Sequence, residues 1–256
     1  MLAPDQLRDA VERYLATLEL APELGLLEGP IRYALEPGGK RIRPILCLAV
    51  AESAGGDVDE ALPAAAAIEL VHTFSLVHDD LPAMDDDAER RGRPSAHVVF
   101  GEGPALLAGD ALLAEAVRLA LTYGTTGIAR ELVEATLGMI GGQHRDIAGE
   151  TEDSTELQAL KTGRLFAAAV GLGLGVARVP EAEQAPWRAF GEELGVLFQT
   201  VDDILDADGV VEELGAEAAR GRADDAAARA RARLEALPAD TAVLRELVDG
   251  LAVRTV

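Results

Sequence analysis

A chain of 256 residues that is 49% hydrophobic but only 4% aromatic must build its core from Ala, Leu, Val and Ile, which favours close-packed helices over sheets. Its 45 acidic and 23 basic residues give a formal charge of -22, which excludes a nucleic acid lying along most of the surface. A small phosphorylated substrate stays compatible if metal ions or local cations invert the field where it binds.

The first residues, MLAPDQLRDAVERYL, mix acids into an amphipathic pattern and do not form the basic-then-apolar order of a signal peptide. Helical periodicity then recurs along the chain, interrupted at EPGG (36–39), GG (55–56), GEGP (101–104), residues 149–154 and VP (179–180). These breaks predict one all-α domain over 1–256, with about ten helices and no convincing strands. The segment GGKRIRP (38–44) sets Lys40, Arg41 and Arg43 behind a glycine turn, where backbone can approach an anion closely. Cys47, inside ILCLAV, is the one cysteine and reads as a packed small hydrophobe. It cannot form an internal disulfide, which suits a reducing, cytoplasmic setting.

A helix is predicted from about Ala61 to Asp80, carrying His72, Phe74, Ser75 and His78. It runs into LVHDDLPAMDDDAERR, which crowds Asp79, Asp80, Asp85, Asp86 and Asp87 and follows them with Arg90 and Arg91. Further on, LFAAAVGLGLGVA is the longest uninterrupted apolar stretch, and it falls short of the roughly 20 residues a bilayer requires. A second helix is predicted from about Trp187 to Asp206, with Gln199, Asp202, Asp203 and Asp206 near its end. Asp202 and Asp206 are four apart and share one face. Acids at a helix C-terminus oppose the macrodipole, so each cluster is mis-signed for its place unless a cation neutralises it. Two such clusters point to a shared ligand.

Carboxylates without His or Cys support favour a hard ion such as Mg²⁺, completed by water and phosphate oxygens. The four histidines form no HExxH and there is no CxxC, which argues against zinc. Gly39-Lys40 is not a P-loop, because Ala34 occupies the first glycine position and Arg41 follows the lysine. Asp206-Ala207-Asp208-Gly209 lacks the later acids of a calcium loop.

Taken in order, GGKRIRP, HDDLPAMDDDAERRGRPSAH, LAGDALL, GGQ with Asp146, KTG and FQTVDDILD resemble the trans-isoprenyl diphosphate synthase family over roughly Leu7 to Leu251. The likeness is strongest to bacterial short-chain synthases of the farnesyl type. It implies an all-helical isoprenoid synthase fold around a deep cavity, usually a homodimer, that joins isopentenyl diphosphate head to tail to an allylic diphosphate. On matching positions, it implies that Asp79, Asp85 and Asp202 bind Mg²⁺, three ions in all with bound diphosphate. Asp80, Asp86, Asp203 and Asp206 would support them. Arg90 would contact the allylic diphosphate, while Lys40, Arg43, His72 and Arg91 would bind isopentenyl diphosphate. Lys161, Thr162 and Gln199 would line the allylic leaving group and the developing cation. Both lysines of the chain, Lys40 and Lys161, fall in this set.

Ionising an allylic C–O bond separates a carbocation from a diphosphate. Fixed cations and Mg²⁺ stabilise the anion, and an apolar cavity keeps water from the carbocation. In the family the product tail grows along the helix before the first aspartate motif, where Phe74 and Ser75 stand five and four positions before Asp79. A bulky Phe74 implies a C15 product; a smaller residue there would suit a geranylgeranyl enzyme. The resemblance breaks after DDILD, where the family's lysine-bearing loop is missing, and near Tyr123 and Glu150, where the chain is short. True deletions or loops absent from the sequence as given both fit, and the usual mobility of lids favours the latter. A terpene cyclase and a non-catalytic subunit of a heteromeric synthase are the competing readings.

Overall fold

Asp57 opens the central helix: its carboxylate accepts hydrogen bonds from the Asp59 and Glu60 amides at 2.8 and 3.1 Å, capping α4 (Val58–Asp79). The computed structural model describes residues 1–36, 39–149, 163–207 and 209–253, with no description of the Glu213 side chain. Before α4 come α1 (Pro4–Thr17), a 3-10 segment (Pro22–Leu27), α2 (Glu28–Leu35) and α3 (Ile42–Ser53). After it come a hairpin of β1 (Glu89–Arg90) and β2 (Arg93–Pro94), then α5 (Ala96–Phe100), α6 (Glu102–Ala120) and α7 (Gly127–Ala148). The remainder is α8 (Arg164–Val176), α9 (Glu181–Asp206), α10 (Val210–Leu214), α11 (Ala216–Glu235) and α12 (Ala242–Ala252). The fold is all-α, with twelve α-helices among the described residues against the ten expected.

Helices α3, α4 and α8 form the centre. Every residue from Ile42 to Ala51 is buried, as befits a helix that apart from Arg43 is apolar on all sides over that stretch. Helix α3 packs on α8 and α4; α4 also packs on α6, and α9 on α8 and α11. Small residues let these axes approach. A Cβ on Gly173 would stand 2.6 Å from the Cys47 carbonyl oxygen, so only glycine allows the α3–α8 contact. Cys47 itself is fully buried, and burial pushes its thiol up to about 12, which leaves a packed, unreactive group. On α11 the buried face is Ala219, Ala223, Ala226, Ala227 and Ala230, alanines at helical spacing laid against α9.

Two local expectations need correcting. Helices α4 and α9 begin three and six residues earlier than predicted, because each runs through a proline at its sixth position, Pro63 and Pro186. A proline there interferes only with the first turn, where the Asp57 cap and acids suited to the helix dipole compensate at α4. Strands do occur: Glu89 pairs with Pro94 and Arg90 with Arg93 around Arg91 and Gly92, both at positive φ (56° and 75°), a hairpin too short to show periodicity. Helix α4 is long and apolar enough by length and composition to cross a membrane, although Glu69 and His72 interrupt its apolar run, so no uninterrupted span is added. In this fold 67% of that window is buried inside the protein.

Candidate active site

The glycine turn at Gly39 and the start of α3 aim cations at one cavity. It encloses about 430 Å³ and is lined by Lys40, Arg43, His72, Arg90, Arg91 and Asp202, with Arg41, Glu69 and Phe198 behind them. The three cations of GGKRIRP do not act alike. Arg41 takes a left-handed conformation (φ 47°) that turns its guanidinium inward, where it donates to Glu69 at 2.6 Å, Glu12 at 2.8 Å and the Leu35 carbonyl at 2.6 Å. Burial alone would lower its pKa; the Glu69 and Glu12 carboxylates outweigh that and raise it.

Arg43 is the opposite case. Its side chain is buried against the Phe166 and Phe198 rings (4.8 and 5.5 Å to the centroids), and its Nε has no hydrogen-bond partner. Burial, with repulsion from Arg91, lowers its pKa to about 10, against the pull of Glu69 and Asp202. It stays a cation at neutral pH, with a buried donor unsatisfied: an anion would supply what it lacks. His72 sits beside it. Burial and the surrounding charges of Arg43, Arg91, Arg41 and Arg90 hold its imidazole well below the usual value, so it is neutral in the free protein. Arg91 reaches this cavity from the hairpin, its guanidinium so close to Gly39 that a Cβ there would meet Nη1 at 2.6 Å.

The first aspartate cluster follows α4 as a tight loop. The Asp85 amide donates to the Asp79 carbonyl at 2.9 Å, and the Met84 and Asp86 amides donate to that of Leu81 at 2.8 and 3.2 Å. Asp85 is thereby folded back to Asp79, while Asp80 is buried and gripped by Arg90, whose Nε donates at 2.9 Å. Arg90 also reaches Asp87 at 2.9 Å. In the second cluster Asp203 is buried, accepting from Gln199 Nε2 at 2.7 Å and from the Val210 amide at 3.1 Å. Asp202 is half-buried and lies 3.3 Å from the Lys40 ammonium; Asp206 is exposed. Each cluster therefore has one buried acid locked into the fold, Asp80 or Asp203, and one that lines a cavity, Asp79 or Asp202. Among the described residues, no three His, Cys, Asp or Glu side chains converge tightly enough to hold a metal unaided.

A second cavity, of about 460 Å³, runs beneath Asp79 between α4 and α7. Phe74, Ser75, His78 and Met84 form one wall; Met139, Ile140, Gln143, His144 and Ile147 form the other. Ser75 Oγ donates to the His72 carbonyl at 2.9 Å, which leaves Phe74 as the bulkier group there. The apolar and cationic cavities share Arg43, His72 and Leu76. So Asp79 and Asp202, one from each aspartate cluster, line adjoining spaces.

Of the predicted residues, Lys40, Arg43, His72, Arg90, Arg91 and Asp202 line the cationic cavity, and Phe74, Ser75 and Asp79 line the apolar one. Lys161 and Thr162 lie outside the described residues. Sequence reasoning missed Glu69, whose one signal was a lone acid in the apolar run AAAAIEL. It also missed Tyr33, whose hydroxyl donates to the Pro94 carbonyl at 2.7 Å and whose ring lies under Arg93, bracing the hairpin that carries Arg90 and Arg91. The short connection at Tyr123 closes on α4, with the Tyr123 hydroxyl donating to the Glu60 carbonyl and accepting from the Ala64 amide.

A family model described as polyprenyl synthetase matches residues 25–227. The chain belongs to the polyprenyl synthetase family. As a member it is a prenyltransferase, and its relatives agree. It is 44% identical over 201 residues to a geranylgeranyl diphosphate synthase of Cyanophora paradoxa, a match spanning 72% of this chain and 67% of the relative. A farnesyl diphosphate synthase of Bacillus subtilis is 40% identical over 204 residues, 74% of this chain and 69% of that one. Among solved structures, the geranyltransferase of Legionella pneumophila superposes with a TM-score of 0.88 at 32% identity, covering 98% of this chain and 96% of that one.

Proposed function

We propose that this polyprenyl synthetase is a Mg²⁺-dependent short-chain synthase that condenses isopentenyl diphosphate with dimethylallyl or geranyl diphosphate, with farnesyl diphosphate as its main product. The observation that carries this reading is the junction of a cationic and an apolar cavity at Arg43, His72 and Leu76. Such a pair suits two substrates that each have an anionic head and an apolar tail.

In this reading Lys40, Arg43, His72 and Arg91 hold the diphosphate of isopentenyl diphosphate, and the unsatisfied Arg43 Nε is its buried anchor. Arg90, oriented by Asp80 and Asp87, faces the allylic diphosphate. The donors fit Mg²⁺: carboxylate oxygens only, with Asp79 and Asp202 in the cavity walls and Asp85 and Asp206 exposed beside them, while Asp80 and Asp203 are locked into the fold. When bound, the metal neutralises charge on the leaving diphosphate. The resemblance assigns a further part of that group's surroundings to Gln199 and, outside the described residues, to Lys161 and Thr162. The apolar wall of Phe74, Leu76 and Met139 excludes water from the allylic cation while the isopentenyl alkene attacks. The surplus proton passes to a released diphosphate oxygen.

The relatives carry both farnesyl and geranylgeranyl names, so the product assignment rests on Phe74 standing in the cavity wall just over one turn before Asp79. We further propose one domain over 1–256, supported by a single apolar core running from Leu7 to Leu251. A homodimer is supported by exposed Leu106, Leu107 and Leu137 on the touching helices α6 and α7. A cytoplasmic site suits the one buried cysteine.

Purified protein with Mg²⁺, isopentenyl diphosphate and geranyl diphosphate is expected to release a linear C15 diphosphate. A linear C20 diphosphate would reassign the product; a cyclic hydrocarbon would point to a cyclase, and no turnover to a non-catalytic subunit.

A further inference from the structure

Of the α4 side chains in the apolar wall, His78 is tied to a second helix. Its Nε2 lies 2.9 Å from the Leu106 carbonyl oxygen on α6. A carbonyl only accepts, so the ring must carry a proton on Nε2 and donate there. One turn earlier on the same face of α4, the Phe74 ring meets the imidazole edge to face, with centroids 5.0 Å apart and planes at 78°. The approach of α6 depends on Gly109, because a Cβ at that position would collide with His78 Nε2 and Cδ2. Position is thus passed along a chain of contacts: Leu106 and Gly109 place the imidazole, and the imidazole places Phe74.

This arrangement bears on where a growing prenyl chain stops. The chain would enter beside Asp79, pass His78 and Ser75, and meet Phe74. A ring that could pivot would make a poor stop. Phe74 is 7% exposed, and the imidazole packed against its ring restricts such a pivot. We propose that His78 is a specificity-determining residue that, anchored on Leu106 and admitted by Gly109, braces Phe74 across the cavity and so sets product length. This rests on the prenyl synthase reading and adds to it a residue acting on the tail. His78 is a positioning residue here: its Nε2 is engaged by a backbone carbonyl, and it serves the reaction through Phe74.

The test compares the chain lengths made from geranyl diphosphate and excess isopentenyl diphosphate by wild type, Phe74→Ala, His78→Ala and the double variant. Phe74→Ala is expected to raise the C20-to-C15 ratio, and His78→Ala to raise it about tenfold, the discrimination a hydrophobic wall can supply. The double variant is expected to match Phe74→Ala alone, which a merely structural histidine would not produce. His78→Gln keeps a donor for Leu106 but has no ring; it too is expected to lengthen the product, and it serves if His78→Ala does not fold. Wild-type product lengths in both folded His78 variants, with Phe74→Ala lengthened, would overturn the proposal and leave the synthase reading standing. No prenyl diphosphate from wild type would remove both.

Discussion

The Lys40 ammonium lies 3.3 Å from Asp202 Oδ1, joining the glycine turn before α3 to the C-terminal end of α9 across the mouth of the cationic cavity. Both side chains are partly exposed (45% and 38%), so the pair itself adds at most about 1 kcal/mol to stability. In the proposed reading its worth lies in what each partner would do with ligand present: Lys40 would meet a diphosphate and Asp202 a metal. Lys40→Ala is therefore expected to leave the melting temperature nearly unchanged while raising the KM for isopentenyl diphosphate about tenfold. Steady-state kinetics beside a thermal melt check this.

Arg43 is expected to weigh more. Its buried, unpartnered Nε gains a charge-assisted hydrogen bond only when an anion arrives. Arg43→Ala is expected to cost about 3 kcal/mol of substrate binding, roughly a hundredfold in kcat/KM for isopentenyl diphosphate. Arg43→Lys should recover little, since a point charge cannot replace the planar fork packed on Phe166.

Arg41 separates from its neighbours in kind. It lies in the same motif, yet Glu12, Glu69 and Leu35 satisfy it inside the fold. Removing one partner strands a buried charge, so Glu69→Ala is expected to destabilise by about 3–5 kcal/mol. A shift in the urea midpoint, with unchanged m-value, is the measurement.

What the sequence made legible follows the same division. The aspartate clusters and their flanking cations were readable because like charges at the wrong end of a helix need a partner, and that conflict is local. Arg41 was not separable from Lys40 and Arg43, because its role turns on one left-handed backbone angle. The brace of Tyr33 on Pro94 and of Arg93 on Glu36 links segments about sixty residues apart that carry no shared pattern. The far cavity wall, Met139 to Ile147, includes Gln143 of the GGQ motif, but Met139, Ile140 and Ile147 carry no chemical signal of their own. Helix starts were misplaced where Pro63 and Pro186 sit inside the first two turns, since proline usually marks a boundary.

His72 gives a pH prediction. Its pKa in the fold lies well below the ordinary 6.5, by burial first and by the surrounding arginines second. Between those two values the unfolded chain binds a proton that the native protein does not, so native stability falls as pH drops below about 6.5. Above that, this contribution is flat. His72→Gln is expected to lose this part of the acid sensitivity, seen as a smaller fall in melting temperature between pH 7 and pH 5 than in wild type.

The claim underlying all of this is that Asp79 and Asp202, from different helices, serve one diphosphate. Titration calorimetry of geranyl diphosphate with Mg²⁺ into wild type, Asp79→Asn, Asp202→Asn and the double variant tests it directly. The account predicts a coupling energy of about 1 kcal/mol or more between the two substitutions. Strictly additive losses would show two independent sites and contradict it.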